Sequence, residues 1–257
     1  MTDPVSPDRR PVALVTGASR RIGIAAAVCR RLAEDGYDLV FTHWRAYDER
    51  MPWGSDATEV DELRDELTAL GARAFGVEAD FQQPDVPAEI FGLANELLGP
   101  VSALVSVHCE STDSSILDTT LESWDRHYAV NARANWLLVK AFAEQFDPAV
   151  GSGRIIAVTS DHTAHNLPYG SSKGALDRIV LAAAAEFRHL DVTANVINPG
   201  ATDTGWMTPA LMDEVVERTL GGRVGLPEDC ANLVGFLCSA AGGWVNGQLL
   251  YSDGGLA

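Results

Sequence analysis

Val12-Ala13-Leu14-Val15-Thr16-Gly17-Ala18-Ser19-Arg20-Arg21-Ile22-Gly23 is the stretch that decides the fold. Its first four residues form an apolar run bounded by Pro11 and Gly17, with the length and flanks of a buried strand. Helical spacing follows at once. Ile22, Ala25, Ala26, Cys29 and Leu32 share a face, and Gly36 supplies the stop. A strand, a tight glycine turn and a helix N-terminus make a phosphate site, because free backbone N–H groups and the positive helix end face the anion. Gly17 can take a positive φ, and Gly23 permits close helix packing. The generic dinucleotide pattern G-x-G-x-x-G is absent, so the turn alone leaves a plain strand-to-helix connection open.

The alternation continues outward from this stretch. Leu39-Val40-Phe41 is the second strand, followed by a polar and aromatic loop over 43–56 that Pro52 and Gly54 break. A helix on Val60, Leu63, Leu67 and Leu70 ends at Gly71, and its other, acidic face is solvated. Residues 74–79 form a third strand. Ile90, Phe91, Ala94, Leu97 and Leu98 mark a helix stopped by Gly99-Pro100, and 101–107 is the fourth strand. Thr119-x-x-Glu122 reads as a capping box opening one long helix to about Phe146. Then come a strand over 154–159, a helix over 169–187 and a strand over 192–197 closed by Asn198-Pro199-Gly200. A helix opened by Pro227 and a seventh strand over 248–252 complete the chain. Seven apolar runs alternating with helices predict an α/β fold: a doubly wound, seven-stranded parallel sheet of Rossmann type with helices on both faces. With no repeat and no linker, residues 1–257 read as a single domain, with 1–10 a flexible N-terminus.

Composition narrows the function. The chain has 257 residues, 46% hydrophobic and 21% charged, values that exclude a disordered chain, a coiled coil and a collagen-like repeat. There are 19 Lys and Arg against 36 Asp and Glu, a net charge of −17. A polyanion-binding surface needs a basic excess, so nucleic acid and an anionic membrane surface are not expected as partners. A local basic pocket for one phosphate group stays open. Cys29, Cys109, Cys230 and Cys238 form no CxxC pair and read as scattered thiols of a reducing compartment. No run reaches the length of a membrane span, and residues 1–11 lack the apolar region of a secretory signal. A cytoplasmic protein is expected. No metal site is assigned.

A second motif carries the chemistry: Tyr169-Gly170-Ser171-Ser172-Lys173. A Tyr and a Lys four apart lie on one helix face. A nearby ammonium lowers a phenol pKa, making the Tyr a usable proton donor to a carbonyl near neutral pH. Ser160, at the end of the fifth strand, could hydrogen-bond the same carbonyl oxygen. Taken in order over nearly the whole chain, these features resemble the short-chain dehydrogenase/reductase family. The resemblance takes in the turn from Thr16 to Gly23, Asp80, Asn131 in His127-Tyr128-Ala129-Val130-Asn131, Ser160, Tyr169 and Lys173. It extends to Asn198-Pro199-Gly200 with Thr202 and Thr204, and to Gly247-Gln248 and Asp253-Gly254-Gly255. Segments 42–54 and 203–208 are similar to a bacterial subgroup labelled 3-oxoacyl-(acyl carrier protein) reductase-like, a label that does not fix a substrate.

The resemblance implies a nicotinamide-dependent oxidoreductase. By it, Tyr169 is the general acid or base, Lys173 holds the nicotinamide ribose and lowers the Tyr pKa, Ser160 polarises the carbonyl, and Asn131 anchors a relay water. Gly17, Ser19, Arg20, Arg21, Ile22 and Gly23 would cradle phosphate. Asp80 with Phe81 would meet the adenine, and Pro199, Thr202 and Thr204 the carboxamide. An NAD site usually carries an acid at the end of the second strand. Phe41-Thr42-His43-Trp44-Arg45 has none, so Arg45 and Arg20 become candidate cations for a 2′-phosphate and NADP(H) is the expected cofactor. The leading expectation is an NADPH-dependent ketoreductase acting on a small or medium carbonyl or secondary alcohol, such as an acyl thioester or a polyketide-like intermediate. The alternatives are a pteridine-type reductase and a cofactor-binding homologue with lost or altered catalysis. Family members pair through the helices near Asn131 and Tyr169, which implies a homotetramer or homodimer.

Three departures stand out. Arg21 replaces the family's middle glycine. Ser106-Val107-His108-Cys109 replaces Asn-Asn-Ala-Gly. Only eight residues separate Ser160 from Tyr169, several fewer than usual, which leaves the placement of Ser160 open.

Overall fold

In the computed structural model, which describes residues 10–256, the decisive stretch is the centre of the molecule. β1 (Val12–Thr16) is buried along its whole length between β2 (Asp38–His43) and β4 (Val101–Ser106). β3 (Ala74–Glu78) lies beyond β2, while β5 (Gly153–Val158), β6 (Val192–Asn198) and β7 (Leu249–Tyr251) extend the other side. The order is β3-β2-β1-β4-β5-β6-β7, every pair parallel. A parallel sheet covered on both faces needs nearly continuous apolar strands, which is what β1, β4 and β5 show.

Two cores fill the faces. One packs α1 (Ile24–Glu34), α3 (Glu59–Ala69) and α9 (Pro227–Cys238) through Val28, Leu32, Leu63, Leu67 and Val234. The other packs α4 (Val86–Leu97), α6 (Ala134–Gln145) and α7 (Leu167–Glu186) through Phe91, Leu138, Phe142, Leu176 and Val180. Strand order reverses between β1 and β4. At such a switch point the connections leave to opposite faces and open a crevice at the strands' C-terminal ends.

Three features depart from the sequence expectation. The loop after β2 contains α2 (Arg45–Glu49), too short for apolar periodicity to mark. α8 (Pro209–Arg218) follows Trp206 and Met207, where the sequence points to a loop and helix over the pocket but does not mark the helix bounds. It is capped by the Thr208 hydroxyl accepting from Leu211 N–H and buries Val215, with Leu211 and Met212 half-buried on the same face. The expected long helix is α5 (Leu121–His127) and α6 joined by a π-helical turn, Tyr128–Arg133. Residues 1–9 of the expected flexible N-terminus lie outside the described residues. Arg10 is fastened: its guanidinium donates to Ala33 O at 2.8 Å and stands 3.4 Å from Asp38. The four cysteines are free thiols. Among the described residues no helix is long and apolar enough to cross a membrane.

Candidate active site

The crevice between the ends of β1 and β4 is a cleft, and the glycine turn is one wall of it. Gly17 has φ +85°, and a Cβ there would stand 2.7 Å from the His108 backbone, so the position demands glycine twice over. Ser19, Arg20 and Gly23 line the cleft from the turn. Trp44, Tyr47 and Asp48 line it from the segment after β2, and Asp80 and Phe81 from the loop after β3. His108, Cys109 and Glu110 enter after β4, and Thr204 after β6. A glycine cradle, a cation and a lining drawn from five strand ends fit an extended phosphate-bearing dinucleotide.

Arg20 is held on three sides. Its guanidinium lies 4.4 Å from the centre of the Trp53 ring, 3.4 Å from Asp48 and donates to Thr204 O at 2.8 Å. Arg21, one residue on, turns the other way to Glu62 and Glu66 on α3 and does not line the cleft. Its expected phosphate contact is corrected accordingly. Arg45 is likewise outside the lining, hydrogen-bonded to Ser55 at 3.2 Å and near Glu49 at 3.5 Å. Ile22 is 58% exposed and faces Gly205. Thr202 is buried and donates to Pro199 O at 3.1 Å, so both shape the turn that carries Thr204 without lining the cleft. Asp80 accepts from Gln82 N–H at 2.9 Å. The stretch 41–45 carries no acid, but one stands three residues beyond it. Asp48 is 4% exposed, lines the cleft and accepts from Trp53 Nε1 at 2.9 Å.

Ser160, Tyr169 and Lys173 come together beyond the end of β5. The Ser160 hydroxyl stands near the Tyr169 phenol and pulls its pKa down. Lys173 Nζ lies 5.7 Å from the Tyr169 ring centre and donates to Val158 O at 2.9 Å. The shortened loop therefore still brings Ser160 to Tyr169. Burial pushes the Tyr169 phenol up, with only Ser160 pulling it down, and pushes the Lys173 ammonium down. This corrects the expectation that Lys173 lowers the phenol. The phenol is held in its protonated, donating form.

Asn131 is fully buried in the π-helical turn. Its Oδ1 accepts from Glu110 N–H at 2.8 Å, and its Nδ2 donates to Glu110 O at 2.8 Å and Ser172 Oγ at 2.9 Å. Both amide hydrogens are spent on the chain, so the side chain clamps the β4 loop to α7. Among the described residues no group of three or more His, Cys, Asp or Glu could hold a metal ion.

His108 fills the place of a small residue and joins three parts of the cleft. Nδ1 pairs with the Thr16 hydroxyl at 2.6 Å, Nε2 with Val130 O at 3.1 Å, and the ring stacks on Phe81 at 4.2 Å. Only Nε2–H can serve a carbonyl, so Nδ1 accepts from Thr16. Burial, and then the Lys173 ammonium, pushes the imidazole pKa down to about 3. The folded His108 is neutral where an unfolded histidine, with a pKa of about 6.5, takes a proton. Its contribution is therefore complete above about pH 6.5 and is lost as pH falls, by about 2 kcal/mol at about pH 5. Thermal unfolding of wild type and His108→Gln at neutral and acidic pH checks this. The variant should lose less stability on acidification, and equal losses would remove His108 as the cause.

A family model described as enoyl-(acyl carrier protein) reductase matches residues 17–257. An uncharacterized oxidoreductase of Bacillus subtilis is 33% identical, over 98% of each chain. A chloroplastic NADPH-dependent aldehyde reductase-like protein of Arabidopsis thaliana is 34% identical, over 99% of this chain and 97% of its own. Among solved structures, a short-chain dehydrogenase from Burkholderia cenocepacia in complex with NADP superposes with a TM-score of 0.84 at 30% identity, covering 96% of this chain and 97% of that one.

Proposed function

The chain belongs to the short-chain dehydrogenase/reductase family, and from that premise we propose that it is an NADPH-dependent ketoreductase reducing the carbonyl of a small or medium organic substrate. The observation that carries the reading is Tyr169 with Ser160 and Lys173 beside it, in a chain that also holds a glycine-cradled cleft at the end of β1. NADP(H), when bound, supplies the hydride. Gly17, Ser19, Arg20 and Gly23 would hold its phosphates, and Asp80 and Phe81 its adenine end. The Tyr169 hydroxyl gives its proton to the substrate carbonyl oxygen. Ser160, beside that hydroxyl, would hydrogen-bond the same carbonyl oxygen. Reduction suits a phenol that burial keeps protonated. The test is turnover of NADPH with a panel of ketones, keto esters and acyl thioesters, with a dihydropteridine alongside. Turnover of the dihydropteridine alone would replace the ketoreductase reading, and turnover of none would overturn it.

The preference for NADPH rests on Arg20, the cation that lines the cleft, with Asp48 offsetting part of its charge. An arginine–phosphate hydrogen bond contributes about 1.5–3 kcal/mol. Arg20→Ala should therefore weaken NADPH by roughly tenfold or more and NADH much less, read as dissociation constants. Equal weakening of both would assign Arg20 to the shared diphosphate instead.

The same reading extends to assembly and location. The groove between α6 and α7, with Trp136 52% exposed beside Ile179 and Phe187, favours pairing with a second copy as a homotetramer or homodimer. Four free thiols and no membrane-spanning helix among the described residues favour the cytoplasm.

A further inference from the structure

Arg20 joins two walls of the cleft. Its own turn is fixed: Ala18 N–H donates to Thr42 O at 2.7 Å, and the Ser19 hydroxyl accepts from Trp44 N–H at 3.0 Å. Asp48 and Trp53, on the segment after β2, hold the guanidinium at 3.4 and 4.4 Å. The remaining contact is of another kind. Nη1 reaches Thr204 O at 2.8 Å, on the segment that leaves β6, 184 residues away in sequence. Ile22, from the same turn, packs beside it, and a Cβ on Gly205 would stand 3.1 Å from Ile22 Cδ1. Arg20 and Thr204 both line the cleft.

The segment beyond β6 is anchored at its start. Asp203 N–H donates to Gly225 O at 2.8 Å, and Gly225 N–H to Ala201 O at 3.0 Å. Past that point the bonds turn inward: Gly205 N–H to Asp203 Oδ1, Trp206 Nε1 to Thr202 O, and Leu211 N–H to the Thr208 hydroxyl. Among the described residues, the Arg20 bond is the one hydrogen bond that ties 204–212 to a distant part of the chain. α8, which follows, fully buries Val215 alone, and Trp206 is half exposed. An element with so few buried apolar contacts opens locally at little cost, so the Arg20 bond weighs on how well it is ordered.

Arg20 has donors to spare. A guanidinium carries N–H donors on every nitrogen. Nη2 meets no hydrogen-bond acceptor among the described residues, so an anion can take it without displacing Thr204 O. A phosphate bound there fixes the guanidinium, and the guanidinium fixes Thr204.

We propose that Arg20 is a positioning residue as well as the phosphate-binding cation: it passes its contact with the 2′-phosphate to Thr204 O, so that NADPH orders 204–218 and NADH does so much less. The proposal rests on the NADPH reading. By linkage, whatever orders the segment also tightens NADPH.

The experiment measures amide hydrogen exchange over 204–218 in wild type and Arg20→Lys, each free and saturated with NADPH or NADH. In wild type, NADPH should slow exchange roughly tenfold, the scale of one charge-assisted hydrogen bond, and NADH less than about twofold. Arg20→Lys keeps the charge without the fork, so the effect of NADPH should fall to that of NADH. Dissociation constants from the same samples separate the failures. Equal protection by both cofactors, with NADPH bound the more tightly, overturns the coupling alone, and so does a NADPH effect that persists in Arg20→Lys. NADPH bound no more tightly than NADH overturns the NADPH reading and this proposal with it.

Discussion

Tyr169→Phe lowers kcat for carbonyl reduction by about 10²–10⁴-fold and leaves NADPH bound. The substitution removes one oxygen. That oxygen is the acid in the reaction and the neighbour of the Ser160 hydroxyl. The ring stays beside Lys173, which keeps its bond to Val158 O, so the local fold is preserved. Separate measurement of kcat and the NADPH dissociation constant checks this. Burial holds the phenol up and the ammonium down, so loss of charge on Lys173 precedes ionisation of Tyr169 as pH rises. The alkaline limb of the rate profile therefore belongs to Lys173. Reduction that survives Tyr169→Phe would mean that another group supplies the proton.

Gly170→Ala lowers kcat/KM by about a hundredfold, although it stands in a helix where alanine is ordinarily favoured by about 1 kcal/mol. A Cβ at this position would lie 2.0 Å from His162 O and 3.2 Å from its carbonyl carbon. The obstacle is backbone, so no side-chain rotation relieves it, and the loop from 161 to 166 must lift. His162 N–H donates to the Ser160 hydroxyl at 3.2 Å, so lifting the loop pulls on Ser160 and separates it from Tyr169. Misplacement of a positioned group by about 1 Å can cost about 10²-fold. Steady-state kinetics with a thermal melt checks it. Activity close to wild type would mean that the loop moves without taking Ser160 along.

The parts of the molecule that were legible in the sequence share a physical reason. β1, the glycine turn and α1 are written in local apolar period and in residues whose backbone freedom is local, and Tyr169 and Lys173 are brought together by helical geometry alone. Arg20 and Arg21 show where local reading ends. Both are cations on one turn, and the acids of α3, about forty residues away, decide that Arg21 turns outward. Asn131 was located but its clamp was not, because its partners Glu110 and Ser172 meet it only across the folded chain. Tyr47 and Asp48 were missed because α2 spans five residues and carries no period. The one signal available was two aromatic residues and an acid, Trp44, Tyr47 and Asp48, within a segment read as loop.

The most direct measurement is a titration of the purified protein with NADPH and then NADH, followed by tryptophan fluorescence. Trp44 lines the cleft and Trp53 stacks on Arg20, so an occupant there should alter the signal. Saturable binding of both, with NADPH the tighter, is the predicted result. Binding of neither would contradict the account, because it would mean that His108, Cys109 and the segment carrying Tyr47 close the cleft to the cofactor on which the proposed reduction depends.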